Sequence, residues 1–540
     1  MKAAEKVISV ARENGLEHFF GIPGGGSPLE LMEAGRQQGV QFVNVSHESS
    51  AAIAAATYGA VKKTAGLAMS IRGVGAANLA GGVANAYFER LPLVGICEAS
   101  PPTARPIESV QECDQQRLFD GVVGYQAKLS VDDGASMIQQ AFSRATDGRP
   151  TPAMLHLPAG LGELKDAAPK TQSTGSPSID EAAFIKVQEF ITKHRRIAIL
   201  AGADVIREKA LDELLAFAEA IEAVVLVTME ARGVFPESNP RWAGVFLGLF
   251  NPNVIEGRVF KQADAVVFAG VDAMMTHAAW KVELPTCELS ARSEYSTMSS
   301  PEARVNGDLK SILKRLSEKR QKGVAIEDVK QLRFGILEYF KRPAKARLTA
   351  QDIIEATREL LPSDGLLLSE TGAFVCMLEH LWLVDEPGNF LGTSGGRTMG
   401  LTVPAALGAR LADRERPMVG IGADGSLLMR LGELEAFART GAALPLVIIN
   451  DQALGTMKAR QESRGFPDNG LDFHSVDYAA IARACGLNGV AVDTPEAFRR
   501  ELGQALKSDR TTLIEARVDP KAYQDSFGPT IGDLSKWTQA

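Results

Sequence analysis

Cysteine is scarce in this sequence. The five residues Cys97, Cys113, Cys287, Cys376 and Cys485 are scattered over 540 positions and never spaced as C-x-x-C. Their odd number and wide spacing speak against a disulfide framework and against a sulfur-rich zinc site, and fit a reducing cytoplasm. Long apolar runs are also missing. None reaches the ~20 residues that a membrane-spanning helix needs. The opening text MKAAEKVISVARENG has no continuous apolar stretch of the secretion-signal kind; Val7, Ile8 and Ala11 instead share one face of an amphipathic helix stopped by Gly15. Lys/Arg-rich runs are absent, and a net charge of −8 forms no basic footprint for nucleic acid. No short-period repeat is present.

What is there is 45% hydrophobic and 23% charged, the balance of an ordinary globular protein. A chain this long exceeds one hydrophobic core, and three domains fit best. Two compositional breaks divide it: GELKDAAPKTQSTGSPSID at 162–180, rich in Pro, Ser, Thr and Gly, and the charged stretch at 317–347, which reads as an exposed connecting helix. Between them short apolar runs such as GLAMSI, RIAILAG, AVVFAG, MVGIG and PLVIIN alternate with amphipathic stretches. Strands of this kind are buried on both faces and argue for doubly wound parallel sheets, which bind ligands at the carboxyl ends of their strands.

The text richest in chemistry is IGADGS (421–426), followed after a helical stretch by PLVIINDQALG (445–455). The strand MVGIG leads into Asp424, whose carboxylate projects from the sheet edge, while Gly425 and Ser426 open a turn whose N–H groups can meet an anion. The strand LVIIN delivers Asn450 and Asp451 to the same edge, so oxygens from both strands could hold a hard cation together with a diphosphate. An isolated Asp-Gly-Ser is usually only a strand-to-helix turn; the partner strand is what makes it a candidate site.

In the first third, FGIPGGGSPLELM (20–32) precedes NVSHESSAAIAAATYGA (44–60). Glu48 follows the strand QFVNVS and opens an almost wholly apolar helix, so dry surroundings are expected. A carboxyl in such a place tends towards a raised pKa and can share a proton with a ring nitrogen. By itself it would be a helix N-terminal acid stabilised by the macrodipole; co-occurrence with the Asp424 motif reverses that preference. His47 reads as a packed or hydrogen-bonded structural histidine.

These segments together resemble the thiamine-diphosphate (ThDP) enzymes of the acetohydroxyacid (acetolactate) synthase and pyruvate decarboxylase superfamily. In that signature G-D-G is followed at similar distance by paired Asn. Here Ala423 stands where the first Gly is usual and Asp451 replaces the second Asn. The resemblance implies Mg²⁺ held by Asp424, Asp451 and the backbone carbonyl of Ala453, with ThDP contacts at Gly425, Ser426, Asp451, Leu454, Gly455 and Thr456. The first-third segments resemble the G-x-P-G loop and the H-E-x-x-A-A motif, which places Pro23 and Gly24 at the cofactor and makes Glu48 the catalytic glutamate. SIRGVGAANLAGGVANAY (70–87) resembles T-S-G-P-G-x-x-N. VQECDQQ (110–116) resembles F-Q-E-x-D and puts Gln111 at an active-site glutamine position. TSGGRTMGLTVPAALGA (393–409) resembles S-G-G-x-G-T-M-G, which brings Thr398 to the cofactor and Met399 beneath it, where a bulky apolar residue forces a bent conformation. SETGAF (369–374) would bring Thr371 and Gly372 to the diphosphate. In the middle third, TMEARGVFPESNP (228–240) resembles the synthase text, but GVDAMMTHAAWKVELPTCELS lacks the arginine-bearing pattern of FAD contacts. FAD is compatible with the family and unsupported by these residues.

The resemblance implies three doubly wound α/β domains: pyrimidine-binding at 1–165, central at 180–320 and diphosphate-binding at 345–540. It also implies a cytoplasmic homodimer or homotetramer whose active site lies at the subunit interface, with a small 2-oxo acid or acyl substrate and neither nucleic acid nor membrane as partner. Gly25 and Ile71 stand where one decarboxylase branch carries Ser and His. With Gln111 this favours decarboxylation followed by carboligation or acyl transfer, as in an acetolactate synthase. Non-oxidative 2-oxo acid decarboxylation, cleavage of an acyloin or 2-hydroxyacyl-CoA, and a catalytically silent ThDP-binding protein stay open, the last because of Ala423 and Asp451. Phe527 and Trp537 read with equal weight as a lid or as packing aromatics.

Overall fold

Runs such as IAILA (Ile197–Ala201), AVVFA (Ala265–Ala269) and PLVIIN (Pro445–Asn450) become strands buried along their whole length. A strand buried on both faces needs helices on both, which parallel crossover connections supply. The computed structural model describes residues 1–101, 110–165, 178–248, 254–275, 283–295, 300–318, 323, 329–340 and 346–519. Phe527 and Trp537 lie outside the described residues.

The strands form three six-stranded sheets, and every pair within them is parallel. The first comprises β1 (His18–Gly21), β2 (Gln41–Asn44), β3 (Gly66–Ser70), β4 (Leu93–Ala99), β5 (Tyr125–Lys128) and β6 (Ala153–Pro158), in the order β2-β1-β3-β4-β6-β5. The second comprises β7 (Ile197–Ala201), β8 (Val224–Val227), β9 (Trp242–Val245), β10 (Ala265–Ala269), β11 (Thr286–Ser290) and β12 (Ala303–Asn306), in the order β12-β11-β10-β7-β8-β9. The third comprises β13 (Leu366–Ser369), β14 (Phe390–Leu391), β15 (Met418–Ala423), β16 (Pro445–Asn450), β17 (Asn488–Val492) and β18 (Thr512–Arg517), in the order β14-β13-β15-β16-β18-β17. The outer two sheets thus share one topology. In the central sheet the direction of winding reverses once, between β7 and β10; in the outer sheets it reverses between β1 and β3 and between β13 and β15, and turns back again over the last two strands at the far edge. At such switch points the connecting loops part and leave a crevice.

The third sheet sits between the other two cores. Leu366 and Leu368 pack into the core of the first sheet, while Leu367 between them packs into that of the central sheet, as the two-residue period of a strand requires. First and third sheets also meet through the helix Glu48–Lys62 and the helix Thr402–Ala412. A Cβ at Gly408 would lie 2.0 Å from the Ala54 carbonyl oxygen, so the two backbones touch there. The charged stretch expected as an exposed connector contains the helix Val329–Leu337, which buries Val329 and Ile336. Its Arg333 guanidinium lies 4.3 Å from the Trp242 ring centroid. Its apolar residues outweigh its charges because β9 offers them an uncovered flank. Among the described residues no helix is long and apolar enough to cross a membrane.

Candidate active site

Two of the three switch-point crevices gather the residues singled out above. At the first, between β1 and β3, the loop after β1 passes so close to the loop after β3 that a Cβ on Gly24 would lie 1.9 Å from Ile71 Cγ2. Only glycine permits this approach. Ile71 in turn lies against Gly75, and a Cβ there would stand 3.3 Å from Glu48 Oε1. Glu48 is buried at the first turn of the helix Glu48–Lys62 and accepts a 3.0 Å hydrogen bond from Asn78 Nδ2. His47 caps this helix, its Nδ1 accepting from the Ser49 amide at 3.1 Å, which is the structural role expected of it. Glu98, at the end of β4, accepts from the Ser27 amide at 2.8 Å and pairs with Arg72 at 3.1 Å, tying the two loops together. Gln111 is exposed and left-handed, with φ 61°, and its carbonyl oxygen would be 2.3 Å from a Cβ on Gly73. Pro23 is exposed on the same rim.

The crevice between β13 and β15 is built around carboxylates. Asp424, at the end of β15, is buried and accepts from the amides of Gly425 at 2.7 Å and Gln452 at 2.8 Å. Gln452 reaches it by adopting φ 59°, a left-handed conformation uncommon outside glycine and asparagine. Asp451 accepts from the Ala453 amide at 3.2 Å, and a Cβ on Gly455 would crowd its carboxylate at 2.7 Å. Burial pushes the Asp424 carboxyl up to about 6. Burial, and then the neighbouring Asp424 charge, push Asp451 up to about 7. Two neighbouring carboxylates that repel each other, one buried and one half-buried, could serve as ligands of a hard divalent cation. Asn450 braces them: its Nδ2 donates to the buried Glu515 at 3.0 Å and its Oδ1 accepts at 3.2 Å from the Gln452 amide that also donates to Asp424. Gly425 and Leu454 lie in contact, and Gly372 stands against Ala423 and Gly455 against Ala373. Thr371, Gly372, Leu454, Gly455 and Thr456 are all half-buried around this edge, and Ser426 is buried.

Three family profiles match the chain: the thiamine pyrophosphate enzyme N-terminal TPP binding domain over residues 1–118, the central domain over 185–316 and the C-terminal TPP binding domain over 370–516. The chain belongs to the ThDP-dependent enzymes of the acetolactate synthase and pyruvate decarboxylase superfamily. Similar proteins include a probable acetolactate synthase large subunit from Methanocaldococcus jannaschii, 25% identical over 96% of this chain and 92% of its own. The acetolactate synthase large subunit of Parasynechococcus marenigrum is 26% identical over 96% and 88%. A putative thiamine pyrophosphate-containing protein from Bacillus subtilis is 23% identical over 96% and 91%. The protein is accordingly a ThDP enzyme of carboligation or decarboxylation, and each of its TPP binding domains contributes one of the two crevices.

Four residues of this ThDP enzyme's site escaped sequence reasoning. Asn78 holds Glu48, although it lies inside the glycine-rich motif. Glu370 is buried after β13 and accepts from the amides of Leu401 at 2.7 Å, Thr402 at 3.0 Å and Ala423 at 3.0 Å. It joins the Met399 loop to the residue before Asp424, and burial raises its pKa. Glu89 accepts from Thr393 Oγ1 at 2.7 Å, the Ser394 amide at 2.8 Å and the Gly396 amide at 2.9 Å. Asn85 Nδ2 donates to Thr398 Oγ1 at 3.0 Å. The loop bearing Thr398 and half-buried Met399 is thus set by the first domain.

Proposed function

We propose that this enzyme decarboxylates a 2-oxo acid and passes the resulting acyl unit to a second acceptor, in the manner of an acetolactate synthase. The observation that carries the reading is the division of labour between the two crevices. One presents a buried carboxylate, Glu48, held by Asn78 and walled by Gly24, Ile71 and Gly75; the other presents Asp424, Asp451 and the Ala453 carbonyl, a donor set suited to Mg²⁺ and a diphosphate. The names of the relatives supply independent support. Bound ThDP supplies an electron sink next to the carbon that loses CO₂.

The chain's residues prepare that chemistry. Glu48 would be the proton-exchanging group toward the aminopyrimidine ring, and its burial limits access of competing water. Asp424, Asp451 and the Ala453 carbonyl would hold Mg²⁺, and Thr371, Gly372, Gly425, Ser426, Leu454, Gly455 and Thr456 would contact the diphosphate. Thr398 and Met399, on a loop fixed by Glu89 and Asn85, would shape the cofactor's conformation. Pro23 and Gly24 border the ring, and Gln111 on the rim is poised to orient the acceptor. Ile71 and Gly25 offer no proton at the positions where a simple decarboxylase would deliver one, which favours carbon–carbon bond formation over aldehyde release. A second copy of the chain completes the site. The helix Gly455–Ser463 buries no residue, and Met429, Met457 and Phe466 are exposed apolar groups on the cofactor-bearing domain, a surface that suits a homodimer or homotetramer. Buried Cys97 and Cys287, neither in a disulfide, suit a cytoplasmic location.

The experiment is pyruvate turnover with ThDP and Mg²⁺, following CO₂ and identifying products. Acetolactate is the expected product. Acetaldehyde with no ligation product would contradict the carboligase reading, and CO₂ only from other 2-oxo acids would move the substrate assignment.

A further inference from the structure

We infer that the nucleotide crevice of the central sheet is filled by an arginine from the first domain, so that this chain takes no FAD or other phosphate-bearing nucleotide and uses its central domain as a brace for the Met399 loop. Counted from its first strand, the central order β9-β8-β7-β10-β11-β12 is 3-2-1-4-5-6, the arrangement of dinucleotide-binding sheets, whose ligand enters outside the carboxyl ends of the two middle strands. Those strands are β7 and β10, and the segments that follow them carry Asp204 and Asp272.

The place is occupied by protein. A Cβ on Gly202, after β7, would lie 2.4 Å from the carbonyl oxygen of Gly270, after β10, so the two loops are in backbone contact. Arg149, from the turn before β6, fills what is left. Its Nε and Nη2 donate to Asp204 at 3.0 and 2.8 Å, its Nη2 donates to the Val271 carbonyl at 2.8 Å, and its Nη1 stands 3.3 Å from Asp272. The guanidinium lies 3.8 Å from the Tyr295 ring centroid. Arg90 adds a 2.7 Å contact to Asp272, and Arg207 a 2.6 Å contact to Asp204. Arg149, Asp204 and Asp272 are 7%, 2% and 3% exposed as side chains. A pyrophosphate in this place would meet two buried carboxylates, and the guanidiniums that could neutralise it are already spent on them. Breaking such pairs is strongly unfavourable, because each partner would be left as an unpaired buried charge. The adjoining cavity, bordered by Arg90, Arg207, Glu230 and Ser369, measures about 150 Å³. Cofactor pockets are typically about 300–1,000 Å³, several times that volume.

The same network reaches the ThDP site. Arg90 follows Glu89 and sits at φ 52°, a strained conformation that its ion pair with Asp272 holds in place. Glu89 is the carboxylate that gathers Thr393, Ser394 and Gly396. Asp272 of the central domain therefore fixes Arg90, Arg90 fixes Glu89, and Glu89 fixes the loop that carries Thr398 and Met399.

Two measurements on the full-length protein test this, and neither needs turnover, so they stand apart from the carboligase reading. The first is calorimetric titration with FAD and separately with ADP, together with the visible spectrum of the purified protein. The inference expects no binding heat and no flavin absorbance; micromolar binding of either nucleotide would overturn the filled crevice. The second is hydrogen exchange in Arg90→Ala and in the milder Arg90→Lys. Amides at 393–400 are expected to exchange at least tenfold faster in Arg90→Ala, with partial recovery in Arg90→Lys and unchanged protection in β7 and β10. Unchanged exchange at 393–400 in both variants would overturn the brace, as would equal acceleration throughout the central sheet.

Discussion

Asp451 stands where the family signature has its second Asn, and the exchange adds a charge. In the cofactor-free protein it neighbours Asp424, and both carboxyls titrate high, at about 7 and about 6. A carboxyl whose folded pKa is raised contributes stability that is present below the ordinary carboxylate pKa and lost as pH rises through the folded value. Cofactor-free protein is therefore expected to melt at lower temperature at pH 8 than at pH 5.5, and Asp451→Asn to flatten that part of the profile. Thermal melts across this range check it; a wild-type Tm that does not fall, or an equal fall in the variant, contradicts the pair's role. The same substitution removes a ligand charge, so Mn²⁺ binding to ThDP-free protein, read by paramagnetic resonance, is expected to weaken by tenfold or more. At Glu48 the expectation is kinetic: Glu48→Gln should retain ThDP while losing on the order of 10²–10⁴ in turnover, the range of general acid–base assistance. Loss of binding together with activity would point instead to a structural glutamate. Glu48, Asp424 and Asp451 were legible in the sequence because each sits where an apolar strand gives way to a helix. Glu89 and Glu370 were not, because their partners are backbone amides that only folding brings to them, and no spacing in the text marks such pairs.

Elements were legible to different depths. The central strands of all three sheets followed from runs buried on both faces, but their order did not, since periodicity says nothing about neighbours. The expected exposed connector at 317–347 was misjudged because the charges of the helix Val329–Leu337 drew attention from Val329 and Ile336, which β9 covers. The contact between the helices Glu48–Lys62 and Thr402–Ala412 was equally invisible, since it depends on a glycine. Any side chain at Gly408 would drive into the Ala54 carbonyl. Gly408→Ala is therefore expected to destabilise by about 1–3 kcal/mol, as overpacking does, and to lower Tm. Because that contact sets the base of the Glu48 helix, ThDP affinity should fall with it; a variant as stable as the parent would show that the helices can part at no cost.

At the scale of the molecule, three sheets with similar crevices have been put to two uses. The outer pair share one topology; on the proposed reading their switch points are left to cofactor and metal, while the central sheet closes its own with Arg149. Among the described residues the helix Gly455–Ser463 buries none of its side chains, and Met457 and Phe466 beside it are exposed. Sedimentation is expected to give a dimer or tetramer, and Phe466→Glu to shift it towards monomer and weaken ThDP binding; a wild-type monomer that binds ThDP would refute the shared site. The central claim is tested most directly by calorimetry of ThDP binding to stripped protein with and without Mg²⁺, repeated for Asp424→Ala. Binding that requires the metal and is lost in the variant is the predicted result. Failure of the wild type to bind ThDP with Mg²⁺ present, or undiminished binding by Asp424→Ala, would contradict it.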